Sequence, residues 1–144
     1  MMRIMHACRA ILLALTVLLA ATQAQACRCA GPHTPQSAYR MADVVVLAEV
    51  LAVEGNFEAQ GGAIATLNAS RAWKAGVPAR LRVETRTTCA FDFRQGETYL
   101  VYLTRSDGRT SYATTICRGN LRSGEAGAAL EWLARRGNSA PVSR

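Results

Sequence analysis

The pattern of apolar and polar positions after residue 42 is that of β-strands. Residues 43–53 form a nearly continuous apolar run rich in β-branched side chains, which predicts a long and largely buried strand. Residues 79–85 alternate between apolar and charged side chains, which predicts a strand with one buried face. The other predicted strands are 63–74, 98–105 and, after the turn signal Ser106-Asp107-Gly108, 109–117.

A helix is predicted at each end of this strand region. Thr34 as N-cap with Pro35 at the first helical position predicts a short helix over 35–42. Ser123 predicts the start of a second helix over 124–136, whose apolar residues recur on one face and which ends at Gly137. Five strands without βα alternation predict a mostly β fold, a small closed or partly closed barrel. An immunoglobulin-like sandwich would need about seven strands.

The first 26 residues have the pattern of a secretory signal. A basic start precedes an apolar run over 10–21, and Ala24-Gln25-Ala26 is an A-x-A cleavage site. The run is shorter than the about 20 apolar residues that a membrane-spanning helix needs. Cleavage would leave an exported chain, secreted or periplasmic, that begins at Cys27. A buried helix and a lipoprotein site stay open as alternatives, although Ala24 and Gln25 are unusual in lipoprotein sites.

The cysteine count changes with that cleavage. Cys8 is lost with the signal, and the mature chain keeps Cys27, Cys29, Cys89 and Cys117. An even number of cysteines in a short exported chain predicts two disulfides. A bond between the first two would close a very small ring, so we expect each of them to pair with a distant cysteine. Which pairs with which stays open at this point.

Charge and composition exclude few classes of function. All ten acidic residues and 15 of the 17 basic ones follow residue 26, and no basic cluster along the chain exceeds Arg135-Arg136. No basic patch with interleaved aromatic residues is visible in the sequence, so we expect no nucleic-acid partner. We also expect no membrane association after signal removal and a monomer. Residues 27–137 are predicted to form one domain, and residues 138–144 a flexible tail.

Several short blocks stand out between residue 27 and about residue 120. They are Cys27-Arg28-Cys29, His33-Thr34-Pro35-Gln36-Ser37-Ala38-Tyr39, Ala42-Asp43-Val44-Val45-Val46, Thr87-Thr88-Cys89-Ala90-Phe91, Glu97-Thr98-Tyr99-Leu100-Val101 and Thr114-Thr115-Ile116-Cys117. In order and approximate spacing, these blocks resemble the tissue inhibitors of metalloproteinases, a family in which a Cys-x-Cys also opens the mature chain.

The resemblance implies a five-stranded Greek-key barrel of the oligonucleotide/oligosaccharide-binding (OB) type. It also implies the disulfides Cys27–Cys89 and Cys29–Cys117. The chain departs from the animal members in three ways: Arg40 stands where they carry another cysteine, that cysteine's partner beyond Cys117 is missing, and their second, cysteine-rich domain is absent. The resemblance is therefore to a minimal inhibitory domain and not to an enzyme.

The function implied is inhibition of a zinc metalloprotease, with Cys27 as the inhibitory residue. Its α-amine and carbonyl oxygen would chelate the catalytic zinc of the target, which has one open position. The protein would need no cofactor and no metal of its own. The residues implied to contact the target are Arg28, Cys29, Ala30, Thr87, Thr88, Cys89 and Ala90.

The side chain of Arg28 is implied to enter the protease pocket that receives the residue after the scissile bond. Burial of an unpaired guanidinium in an apolar pocket costs several kcal/mol. We therefore expect a preference for targets whose pocket contains Asp or Glu.

Two other interpretations of the same cysteines remain. The disulfides could fasten a binding module of the same fold that inhibits no protease. Alternatively, Cys27, Cys29 and His33 could form a small metal cluster, which would require reduced thiols in an oxidising compartment.

Overall fold

A computed structural model describes residues 27–30, 34–56, 62–86, 88–106, 111–137 and 139–144. The predicted signal and its cleavage site, His33 and Thr87 lie outside these residues. The two helices are α1 (Pro35–Met41) and α2 (Gly127–Arg136). The strands are β1 (Val44–Gly55), β2 (Ala63–Trp73), β3 (Val77–Pro78), β4 (Arg80–Thr85), β5 (Thr98–Arg105), β6 (Tyr112–Ala113), β7 (Leu121–Arg122), β8 (Ser139–Ala140) and β9 (Val142–Ser143).

Five of these strands close into a barrel. β1 pairs with β2, β2 with β4, β4 in parallel with β6, β6 with β5, and β5 returns to β1. Register shifts between Leu47 and Ala48 and between Val50 and Ala52 bend β1, since a bulge increases the local twist of a strand. The first half of β1 can then pair with β5 while its whole length pairs with β2. The predicted OB-like five-stranded barrel with two helices and two disulfides is confirmed.

The apolar run in β1 reflects burial on both faces of the strand. Val44 and Val46 belong to the barrel interior, in one cluster with Val101. Val45 points the other way and belongs to a second cluster with Leu133 of α2. All five side chains are fully buried or nearly so, and each such burial stabilises the fold by about 1.5–3 kcal/mol. The strand therefore lacks the alternation that a half-exposed strand shows.

The helices start and end close to the predicted positions. Thr34 caps α1 as predicted, because its Oγ1 accepts a hydrogen bond from the backbone N–H of Ser37 at 3.2 Å. α2 starts at Gly127 and not at residue 124, since Ser123 to Glu125 form a 3-10 turn in front of it. Ser123 therefore does not provide the predicted side-chain cap. Within the described ranges, no helix is long and apolar enough to span a membrane.

The fifth barrel strand is much shorter than predicted. Of the segment 109–117, only Tyr112–Ala113 is a strand, and residues 107–110 lie outside the described part of the chain. Cys117 lies in a 3-10 turn, Ile116–Arg118, whose first residues are tied by a hydrogen bond from the N–H of Cys117 to Oγ1 of Thr115 at 3.3 Å. The strand prediction is wrong here because local hydrogen bonding of threonine competes with the sheet ladder.

The chain end is part of the sheet system and not a flexible tail. β8 pairs with β2, and β9 pairs in parallel with β3. The carbonyl of Pro141 accepts from the N–H of Val77 at 3.1 Å, and the carbonyl of Ser143 accepts from the N–H of Ala79. The prediction of a free tail over 138–144 is therefore wrong for residues 139–143. These backbone bonds are long-range, so no local sequence signal reveals them.

Candidate functional site

The two disulfides lie side by side at one end of the barrel. Cys27 is bonded to Cys89 and Cys29 to Cys117, with Cα–Cα distances of 5.3 and 5.1 Å. The Sγ atoms of Cys27 and Cys117, which belong to different bridges, are 3.6 Å apart. The pairing implied by the resemblance is confirmed.

These bridges bring two predicted contact segments together. Residues 27–30 and 88–90 meet at Cys27–Cys89, and with Ile116 and Cys117 they form what we call the disulfide ridge. Arg28, Cys29, Ala30 and Thr88 are exposed on it. Cys27, Cys89, Ala90 and Cys117 are half-buried, and Thr87 lies outside the described residues. The ridge is thus an accessible surface that two disulfides hold in place.

A buried hydroxyl and a group of rings position the segment that carries Cys89. Thr85 at the end of β4 is fully buried, and its Oγ1 accepts a hydrogen bond from the N–H of Phe91. The ring of Phe91 packs edge-on against those of Phe93 and Tyr99, with centroids 4.8 and 5.4 Å away. Such ring pairs contribute about 0.5–1.5 kcal/mol beyond their buried area. The loop therefore has a defined position although it is not a strand.

Cys117 is positioned by a hydrogen-bond network instead of a strand. The Oδ1 of Asn120 accepts from the N–H of Tyr102 at 2.9 Å. Its Nδ2 donates to Oγ1 of Thr114 at 2.9 Å and to the carbonyl of Thr115 at 3.1 Å. The buried hydroxyl of Thr114 donates to the carbonyl of Tyr102 at 2.9 Å. Asn120 and Thr114 therefore satisfy backbone groups where the ladder stops, which holds the turn containing Cys117.

Ile116 is a ridge residue that sequence reasoning missed as a contact. The residue is 43% exposed, and Met41 is the other large hydrophobic residue that is exposed in the described part of the chain. The backbone N–H of Ile116 donates to the carbonyl of Cys89 at 2.9 Å, so this residue lies directly between the two bridges. The signal in the sequence is its position next to Cys117. The apolar pattern could not find it, because the predicted strand would have assigned Ile116 to a core face.

The cysteine sulfurs form a compact group without offering thiolates. The Sγ atoms of Cys27, Cys29 and Cys117 all lie within 4.8 Å of one another. Metal binding by cysteine requires the thiolate form, and here each of these sulfurs is part of a disulfide. His33 lies outside the described residues. The alternative of a small metal cluster therefore requires that the bridges be reduced first.

Comparison of the sequence with protein-family models gives no match, and comparison with curated proteins gives none either.

Proposed function

We propose that this protein is an exported inhibitor of zinc metalloproteases that acts through the N-terminal residue of its mature chain. The observation that carries the proposal is the ridge. Arg28, an exposed residue, lies between two cysteines that are each bonded to a different part of the barrel. Signal cleavage after Ala26 would make Cys27 the first residue and would free its α-amine beside this exposed segment.

The chemistry of the chelate supports this role. The α-amine and the carbonyl oxygen of one residue close a five-membered ring on a metal. A catalytic zinc offers an open position that otherwise holds water. The α-amine titrates near neutrality, so zinc displaces its proton at modest cost. Cys27 would then bind zinc through its backbone while its sulfur stays in the disulfide.

The rigidity of the mature N-terminal segment also favours binding. Ordering a free chain terminus on association costs conformational entropy, and a terminus that is already fixed loses less. Cys27 and Cys29 are both fixed by covalent bonds, and Thr88 and Ile116 flank them with exposed side chains. Ile116 would add apolar contact area next to the chelating end. Arg28 would favour targets that place a carboxylate opposite its side chain.

The test is to move Cys27 from the first to the second position of the mature chain. An extra alanine before Cys27 converts the α-amine into an amide and adds bulk at the metal. We expect it to abolish inhibition of a responsive zinc metalloprotease, while the unfolding midpoint in urea stays unchanged. The matched control carries the extra alanine after Arg144 and should inhibit as the native mature chain does.

Two outcomes would reject the chelate. One is equal inhibition with and without the N-terminal alanine. The other is the absence of inhibition across a panel of zinc metalloproteases by a chain whose N-terminus is verified as Cys27 by mass spectrometry. Either result would favour the disulfide-fastened binding module.

A further inference from the structure

A concave site lies between α1, the residue after β2 and α2, and contains no ridge residue. Its cavity volume is about 380 Å³, at the lower end of the range of small-molecule sites, about 300–1,000 Å³. We call it the basic pocket. It combines three cationic side chains with two aromatic rings and an amide, and no acidic residue is among the described residues that line it. The lining residues are Gln36, Tyr39, Arg40, Lys74, Trp132 and Arg136.

Lys74 contributes positive charge to this pocket, but none of its hydrogen-bond donors is free. Its Nζ donates to the backbone carbonyls of Tyr39, Arg40 and Ala42 at the end of α1. An ammonium has three N–H donors, so these contacts use all of them. The residue adopts a φ of 75°, a left-handed conformation that is costly for a non-glycine residue. This geometry keeps a positive charge beside the pocket.

Arg136 is held in the pocket by the two rings. Its guanidinium lies 4.7 Å from the ring centroid of Tyr39 and 5.0 Å from that of Trp132. The rings themselves are in edge contact at 5.5 Å. Because the two ring planes are inclined by 68°, the guanidinium can lie flat on at most one ring, and those of its five N–H donors that are not directed at the other ring remain for a ligand. Across the described residues, no ion pair or hydrogen bond occupies the guanidinium N–H groups of Arg136 or of Arg40.

The contrast with another groove supports an anionic ligand here. A groove of about 340 Å³ over β2 and β4 also contains two arginines, Arg80 and Arg82. Glu84 lines that groove as well, and Arg82 lies 3.7 Å from the carboxylate of Glu54. Carboxylates thus offset the charge in that groove, whereas the three cations of the basic pocket face no carboxylate in the described part of the chain.

The geometry points to a binding site for a phosphate group in the basic pocket. Arg136 and Arg40 would donate charge-assisted hydrogen bonds to its oxygens, and Lys74 would add long-range attraction. The phosphate could belong to a small soluble ester or to the headgroup of an anionic lipid. No lining residue of the pocket belongs to the ridge, so the pocket variants leave every ridge residue unchanged.

The test uses the mature protein with both disulfides intact. Inorganic phosphate is titrated by calorimetry at constant ionic strength maintained with sodium chloride. In parallel, sedimentation measures binding to phosphatidylcholine vesicles with and without phosphatidylglycerol. We expect saturable binding that Arg136→Gln and Arg40→Gln each weaken about tenfold, or about 1.4 kcal/mol. Arg40→Gln removes no ring contact, so it keeps the test valid if Arg136→Gln impairs folding.

The matched control is Arg135→Gln. Arg135 is adjacent on α2 and carries the same charge, but it lies near Glu131 at 3.9 Å and outside the pocket. The control should change binding by less than about twofold, because Arg135 lies beside the carboxylate of Glu131, is exposed and is screened by salt.

Each outcome has a defined meaning. Binding of inorganic phosphate that the pocket variants weaken supports a soluble ester. Binding only to vesicles with phosphatidylglycerol, again weakened by the pocket variants, supports a lipid headgroup. The proposal is overturned if neither probe binds, or if Arg135→Gln weakens binding as much as Arg136→Gln does.

Discussion

The disulfide ridge and the helix-covered side of the barrel are stabilised in different ways. On the ridge, Arg28, Cys29, Ala30 and Thr88 are exposed, and two covalent bonds fix the chain. We call the other region the helix face, where α1 and α2 cover the outside of β1 and β5. Its buried residues are Ala38, Tyr39, Ala42, Val45, Trp73, Leu100, Tyr102, Ala126, Ala129 and Leu133.

The difference shows how a small barrel can carry an accessible and yet rigid surface. A hydrophobic cluster gains its stability by hiding side chains, so those side chains cannot contact a partner. A disulfide constrains the chain without covering it, and Arg28 therefore stays available between two fixed neighbours. The comparison predicts that damage to the ridge affects both stability and the proposed inhibition. Damage to the helix face should affect stability alone.

The largest expected effect is the loss of one bridge. The double variant Cys29→Ala with Cys117→Ala opens a link across a sequence separation of 88 residues. In the chain-entropy model this lowers the free energy of unfolding by about 4 kcal/mol, to be measured by urea denaturation. Inhibition of a responsive protease should fall as well, because the segment after Cys27 loses its second anchor.

The corresponding pair Cys27→Ala with Cys89→Ala serves as the comparison, with a separation of 62 residues and nearly the same expected cost. Full inhibition by a folded chain that lacks the Cys29–Cys117 bridge would show that rigidity of the ridge is not required.

The next effect comes from a cavity in the helix face. Leu133 in α2 is buried in the same hydrophobic cluster as Val45 and Tyr102, and Leu133→Ala should lower the free energy of unfolding by about 3 kcal/mol. Leu130→Ala in the same helix removes a partly buried side chain and should cost less. Both variants should inhibit as the native chain does when assayed well below their unfolding midpoints. Weaker inhibition by folded Leu133→Ala would mean that the helix face also supports the ridge.

The smallest effect is a pH dependence. Burial raises the pKa of Tyr102 to about 12, from an ordinary value of 10. As the pH rises from 10 towards 12, the unfolded state loses this proton while the native state keeps it, so stability decreases. Tyr102→Phe removes the ionisable group, and its free energy of unfolding should fall less over this range than that of the native chain. Urea unfolding at pH 8, 10 and 11 measures the difference, and parallel curves for the two proteins would contradict it.

Local patterns predicted most of the barrel. The strand β5 matches its predicted range, Thr98–Arg105. Its apolar residues are consecutive, and the turn signal that follows them in the sequence marks where the strand ends. The prediction of strand structure up to Cys117 is wrong, since Asn120 and Thr114 replace the ladder with side-chain bonds. The residues that form such a network look the same in the sequence as residues of an exposed loop.

The candidate site could be predicted only in part from the sequence. The position of Cys27 and Cys29 directly after a cleavage motif indicates a candidate site, and the pairing implied by the family resemblance agrees with the structure. Ile116 was missed as a contact residue, because its exposure depends on a turn that the strand pattern does not predict.

The four long barrel strands, the two helices and the number of disulfides follow from the sequence alone, because periodicity and helix signals are local and cysteines can be counted. The paired chain end and the meeting of Tyr39, Lys74 and Arg136 in one pocket depend on the tertiary structure. Residues 35 and 97 positions apart meet there because barrel closure brings α1, the end of β2 and α2 to one place, and no local propensity encodes that closure.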